Sequence, residues 1–286
     1  MYINLVKHKA DTGVSYECSE EFISIEGYDV LINGSFYVDD IPMTPLSFLS
    51  LYCQYGEYTY QYLDGCGTTY IIDRSQKRIF VFTDFFNSNS FTFYRFVPDG
   101  IMLSDNIFRI IDSTRAFEID EKSAKYFLVN GYVSGGRTLV KDIMKVSPKT
   151  YLEIDMNSCE VHIHRCEYKF DKCEVTKFSY SDSFEKCVVS CMQNAHCAAL
   201  SGGYDSNFII WNVKGNSSSD NRLNAFCIGG TAGTDETKVA QKIAEYYGNI
   251  DLHIGYVSPE TLNHLPEIVM ALQGQIYEKG IFLQYE

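Results

Sequence analysis

Apolar residues in the first half of the chain fall into short runs separated by polar turns. Tyr28-Asp29-Val30-Leu31-Ile32, Thr68 to Ile72 and Ile79-Phe80-Val81-Phe82 have the length and the aromatic and β-branched content of strands. Asn33-Gly34 follows the first run, and that dipeptide predicts a hairpin turn after Ile32. Glu121 to Val129 predicts a short helix. Phe170 to Tyr180 is polar without strong periodicity, which predicts a boundary between domains at 1–175 and 176–286.

Beyond that connector, helix and strand patterns alternate. Asp182 with Glu185 predicts a capped helix running to Gln193. A strand at 196–200 follows, then a helix from near Asp205, a strand over Leu223 to Ile228, a helix over Glu236 to Tyr247 and a strand over Leu252 to Val257. Pro259 predicts the first turn of a further helix bearing Leu262, Leu265, Ile268, Val269 and Leu272. Such alternation favours a parallel sheet with ligands at the carboxyl ends of its strands. Ser217 to Asn221 reads as a surface loop, and no repeat of solenoid period is present.

The candidate chemistry lies between two apolar runs, His196 to Leu200 and Phe208 to Trp211. There Leu200-Ser201-Gly202-Gly203-Tyr204-Asp205-Ser206 predicts a strand, a tight glycine turn and the first turn of a helix. Adjacent glycines let the backbone approach a ligand closely. Helix-start amides and the positive end of the helix dipole suit a phosphate. Ser201 and Ser206 supply hydroxyls, and Asp205 suits a magnesium ion held between phosphates. The expected ligand is ATP, bound through its pyrophosphate. No Gly-Lys-Ser or Gly-Lys-Thr is present, so this is not the other common phosphate loop.

Composition narrows the alternatives. A chain of 286 residues with 45% hydrophobic content has enough apolar material for a substantial core, so disorder is not expected. A net charge of −13 argues against nucleic-acid binding, which relies on lysine and arginine. No run approaches the roughly 18 apolar residues of a membrane span, and the first residues lack a signal-peptide centre. A cytoplasmic location is expected. The ten cysteines are scattered without a Cys-x-x-Cys pair, which favours reduced thiols over zinc or disulfides. Cys187 and Cys191, four apart beside Phe184 and Val188, read as buried thiols. His162 and His164 would share one side of a strand, best read as an exposed strand face.

Ser201 to Ser206 resembles the Ser-Gly-Gly-x-Asp-Ser loop of the ATP pyrophosphatases, specifically that of the asparagine synthetase family. Phe226-Cys227-Ile228-Gly229 resembles the family's second synthetase strand, and Thr234-Asp235-Glu236 with Ala240, Ile243 and Ala244 its next helix. Asn130-Gly131-Tyr132-Val133, Arg137-Thr138-Leu139, Ile143, and Ser147-Pro148 to Asp155 are similar to the close of its glutaminase domain. The likeness runs in order from about Leu63 to Glu286. It implies an α+β amino-terminal domain, an N-terminal-nucleophile-hydrolase-like β-sandwich with helices. An incomplete α/β parallel-sheet ATP-pyrophosphatase domain would follow. It also implies that ATP adenylates a small-molecule carboxylate and that ammonia or another amine displaces AMP to form an amide. The implied ATP-binding residues are Leu200, Ser201, Gly202, Gly203, Asp205, Ser206 and, against adenine, Ile228, with Asp205 as the Mg2+ ligand. Relatives cyclise peptides, close lactam rings or amidate sugars, so the carboxylate stays open, as does homodimer formation.

Two departures qualify the expected activity. The family's glutaminase uses a first-residue cysteine, but Tyr2 stands here, and a phenol is a poor nucleophile at neutral pH. Cys18 is the nearest cysteine. Asn33-Gly34-Ser35 keeps only the beginning of the glutamine-binding Asn-Gly-Glu turn, and Asp84-Phe85-Phe86-Asn87 is a degenerate Asp-x-Phe-Gly turn. Glutamine hydrolysis is therefore expected to be absent. The chain also stops before the family's Gly-x-Gly-x-Asp-Glu strand, and Gln273 and Gln275 stand where acidic residues are common. The expectation is a piece of a longer ligase, a gene fragment or a chain completed by a partner. The alternative is a truncated, non-catalytic relic or interaction module.

Overall fold

The computed structural model describes residues 1–7, 14–38, 41–88, 91–115, 117–167, 180–192, 197–216, 222–229, 235–256 and 258–273. The chain divides into two units, Met1–Asp171 with Gln273–Gln275, and Lys172–Leu272 with Ile276–Glu286. The expected boundary near 175, the loop at 217–221, and His196, Gln193, Thr234, Val257 and Gln275 lie outside the described residues.

The first unit begins β1 (Tyr2–Lys7), β2 (Val14–Cys18), β3 (Ile23–Ile25), β4 (Tyr28–Val38), β5 (Ile41–Pro42) and α1 (Pro45–Tyr55). A 3-10 turn over Gly56–Tyr62 leads to β6 (Asp64–Asp73), β7 (Arg78–Thr83), β8 (Phe93–Val97) and β9 (Gly100–Ser104). Then come α2 (Ile107–Thr114), α3 (Glu121–Asn130), β10 (Met144–Lys145), β11 (Thr150–Asp155) and β12 (Val161–Arg165). One antiparallel sheet has the order β10-β8-β9-β1-β2, and the other runs β12-β11-β7-β6-β4-β3 with β5 also on β4.

Burial shows how these sheets stack. Ile3, Leu5, Ile101 and Leu103 of the five-stranded sheet share a core with Tyr70, Ile72, Ile79, Val81, Leu152 and Ile154 of the other. On the far side of the larger sheet, Ile71, Phe80, Phe82 and Tyr151 meet Phe48, Leu49 and Tyr52 of α1 and Tyr60 of the 3-10 turn. Phe93 of the smaller sheet packs with Ile107 and Ile110 of α2. The layers thus run helix, sheet, sheet, helix, a sandwich with helices. The continuous burial of β6 follows, because both of its faces are covered; Thr68 to Asp73 are all buried, the polar Thr68, Thr69 and Asp73 included. Local chemistry sets the helix starts. Thr44 and Ser47 form a capping box before Pro45 of α1, Asn106 caps α2 and Asp120 caps α3.

The hairpin expected at Asn33-Gly34 does not form. Both residues lie inside β4, where Gly34 pairs with Gly67 of β6. Glycine is needed there for close approach: a Cβ on Gly34, at φ +131°, would sit 2.3 Å from the Cys66 carbonyl oxygen. Packing between neighbouring backbones overrides the local turn preference.

The second unit runs α4 (Tyr180–Met192), β13 (Cys197–Ala199), α5 (Tyr204–Asn216), β14 (Leu223–Gly229), α6 (Thr237–Tyr247) and β15 (Ile250–Tyr256). A 3-10 turn over Pro259–His264 and α7 (Leu265–Ala271) follow. The sheet is parallel with order β13-β14-β15, and α5 and α6 are the crossovers such pairing demands. Three differences from the sequence reading have local causes. The capped helix start at Asp182 is displaced, because α4 is already helical from Tyr180. Cys187 and Cys191 are exposed rather than buried, since the α4 positions facing the core are taken by side chains such as Val188. The single helix expected after Pro259 is split, with Pro266 in the first turn of α7, where its missing amide hydrogen is tolerated.

Candidate nucleotide site

Leu200 closes β13 and hands the chain to the loop. Its amide donates to the Phe226 carbonyl (2.8 Å) and its side chain is buried, so it belongs to the core and only its backbone reaches the sheet edge. Gly202, Gly203, Tyr204 and Asp205 are exposed, and α5 starts at Tyr204. The loop therefore lies open at the carboxyl end of a parallel strand and the amino end of a helix. Neither glycine has positive φ. Gly202 packs close to α6: a Cβ there would lie 3.2 Å from the Val239 Cβ, a tight contact that Val239 would have to relieve by a few tenths of an ångström.

Hydroxyl groups hold the turn in shape. Ser201 and Ser206 join Oγ to Oγ at 2.8 Å. The Ser201 amide donates to Ser206 Oγ (3.1 Å), and the Gly203 amide to Ser201 Oγ (3.1 Å). The Gly202 amide donates to a Glu236 carboxylate oxygen at 3.3 Å. Asp205 lies in the exposed first turn of α5, and among the described residues no hydrogen bond or ion pair engages its carboxylate.

One strand over, Ile228 is half-buried near the carboxyl end of β14. Beyond it, Asp235 accepts from the backbone amide (3.1 Å) and hydroxyl of Thr237 at the start of α6. Those bonds hold the Asp235 carboxyl below its ordinary value. The fold thus gathers residues 200–206, Ile228 and residues 235–237 at one end of the sheet, through parallel pairing alone. Sequence reasoning noted Asp235 and Glu236 as the start of a helix but missed the contact of Glu236 with the loop. The acidic pair ahead of that helix was the available signal.

Residues 179–285 match the asparagine synthase family model. The matched segment includes the loop, Ile228 and the whole described parallel sheet. No curated protein matches the chain. Among solved structures, the chain is similar to a glutamine phosphoribosylpyrophosphate amidotransferase from B. subtilis complexed with ADP and GMP. That likeness has 12% identity and a TM-score of 0.30, covering 83% of this chain and 50% of that one. It is also similar to a structure of the allosteric regulatory enzyme of purine biosynthesis, at 9% identity and TM-score 0.32, over 90% of this chain and 63% of the other. The chain thus spans about half to just under two thirds of those structures, and likenesses this slight carry no argument about its site.

In the first unit, Tyr2 opens β1 opposite Ser104, with the Arg109 guanidinium 6.0 Å from its ring centroid. Burial, and next the Glu17 carboxylate, push its phenol above the ordinary value. Cys18 pairs with Ile3 across β1 and β2, and burial followed by Asp29 pushes its thiol up. Asp84 is buried and accepts from the amides of Gly67 (2.9 Å) and Phe86 (2.9 Å). Asn87 adopts φ +54°, a left-handed conformation that asparagine tolerates better than most residues. His162 is exposed, and His164 stacks on Tyr151 at 4.6 Å while bonding Glu153 at 2.8 Å. Both imidazoles lie on one strand face, and no group of three or more metal-ligating side chains occurs among the described residues. Also among the described residues, no disulfide joins the cysteines, and no helix is long and apolar enough to cross a membrane.

Proposed function

We propose that the asparagine synthase segment is the ATP-binding part of an amide-forming ligase. A small-molecule carboxylate would be activated as its adenylate, and ammonia or another amine would attack it with loss of AMP. Activation is chemically necessary because a carboxylate oxygen is a poor leaving group until it is joined to the α-phosphorus of ATP, with pyrophosphate expelled, so that it can depart as part of AMP. The observation that carries the reading is the open Ser201–Ser206 loop at the carboxyl edge of β13. Its amides and the amino end of α5 suit the charge on departing pyrophosphate. Asp205 suits Mg2+: its carboxylate is open, and without a protein cage the ion would take most of its ligands from phosphate and water. Ile228 would lie against adenine. We place the chain in the cytoplasm.

We further propose that the first unit lacks glutaminase activity. The raised Tyr2 phenol and the raised Cys18 thiol both leave poor nucleophiles at neutral pH, which supports that reading. A role as an interaction module is favoured by one feature of this unit: Leu128 and Val129 of α3 are 82% and 83% exposed.

Titration calorimetry with MgATP tests the site. Wild type is expected to bind, and Asp205→Ala to lose at least about 100-fold in affinity, roughly 2.7 kcal/mol. Equal affinity in the two proteins would remove Asp205 from the site. Pyrophosphate release on challenge with carboxylic acids, aspartate first, then tests the ligase chemistry. Ammonia release from glutamine that tracks the purified protein would refute the inactive first unit.

A further inference from the structure

The three amides at the head of the loop all have acceptors. Those of Ser201 and Gly203 are met by hydroxyls of the loop itself, which a rotamer change would release. The Gly202 amide is met by Glu236, a formal negative charge carried in from the start of the next helix.

We propose that Glu236 is an internal competitor for the anion at this loop, so that a polyphosphate reaches the Gly202 amide only by displacing this carboxylate. The inference rests on the nucleotide-loop reading above. A carboxylate oxygen on a backbone amide makes the same charge-assisted contact that a phosphate oxygen makes. Both cannot occupy one donor, and their like charges repel at that distance.

Three observations give the contact a function beyond chance surface pairing. The start of α6 is seated on the loop, since a Cβ on Gly202 would lie 3.2 Å from Val239 Cβ. Glu236 stands at the N-cap of α6, but its side chain makes no cap bond; Asp235 meets the Thr237 amide instead. Gly202 and Glu236 are both exposed, so a dissolved polyphosphate has access to the contact. The chemistry predicts a ligand with several adjacent anionic oxygens, which gains enough from the remaining donors to evict one carboxylate. A monoanion gains too little.

The test uses the full chain and inorganic pyrophosphate without metal, followed by MgATP, in titration calorimetry. Glu236→Ala is expected to tighten pyrophosphate binding about three- to tenfold. Glu236→Gln, which keeps an acceptor but loses the charge, should fall between it and wild type. Glu245→Ala, an exposed position farther along α6, controls for net charge and should match wild type. Binding seen only in Glu236→Ala also supports the proposal. If wild type binds and Glu236→Ala binds equally or more weakly, Glu236 is a bystander or assists the ligand, and the competitor role is overturned alone. An equal gain in Glu245→Ala overturns it as well. Absence of pyrophosphate and MgATP binding in wild type and all variants removes the nucleotide-loop reading, and the competitor falls with it.

Discussion

A central strand in each unit shows two different ways of making a sheet. In β6 of the first unit, Thr68 to Asp73 are buried on both faces, between the partner sheet and α1. In β14 of the second unit burial alternates. Leu223, Ala225 and Cys227 are buried, while Asn224 and Phe226 on the opposite face are exposed. The first unit therefore derives its stability from layers of apolar side chains. The second presents its polar chemistry at an open strand end and keeps a smaller core of Leu200, Ile210, Val213 and their neighbours.

The sharpest way to break that contrast is to hollow out the first unit. Phe82 is fully buried against Phe48 and Tyr151, so Phe82→Ala is expected to cost about 3–5 kcal/mol in denaturant unfolding. A loss below about 1 kcal/mol would mean that this layer is not tightly packed. A smaller effect is expected at the cap of α3. There Asp120 accepts from the Ser123 amide (2.6 Å) and holds Arg137 (2.8 Å). Asp120→Ala should cost about 1 kcal/mol, read as a shift in the unfolding midpoint at unchanged slope.

Phe226→Ser should cost less still, about 0.5 kcal/mol, because that ring is already 40% exposed. If its cost equals that of Phe82→Ala, the open face of β14 is covered in solution and the contrast fails. The smallest expected effect is one of pH. The Asp235 carboxyl is lowered by its bonds to the Thr237 hydroxyl and amide. Its contribution is therefore complete above the unfolded value near 3.9 and is lost as pH falls through the lower folded value. The protection factor of the Thr237 amide, with the intrinsic pH dependence of exchange divided out, should fall only in that acid range. A fall in protection beginning near neutrality would show that Asp235 is not what secures the start of α6.

How much was legible along the chain depended on the range of the interaction. The runs at Thr68–Ile72 and Ile79–Phe82, the helix at 121–129 and the alternation after residue 197 are periodic, and they occur as elements close to the expected bounds. The strand, turn and helix start around 201–206 were readable because their signal is contiguous. Asn33-Gly34 misled, because a turn-forming dipeptide also suits two backbones in close contact, and only Gly67 across the strand pair distinguishes the cases. Cys187 and Cys191 misled because helical spacing gives a face, while burial depends on what packs there.

The sequence by itself therefore determined most of the strands and helices, the change to alternating helices and strands in the second half, and the strand, turn and helix start around residues 200–206. These properties reside in local conformational preference and in periodic burial. Tertiary structure alone decided that Gly202 packs closely against Val239 without a positive φ, and that Glu236 lies on its amide. The loop and the start of α6 are more than thirty positions apart along the chain. They meet because parallel pairing of β13 with β14 brings the carboxyl ends of both strands to one edge, a placement that local preference does not encode.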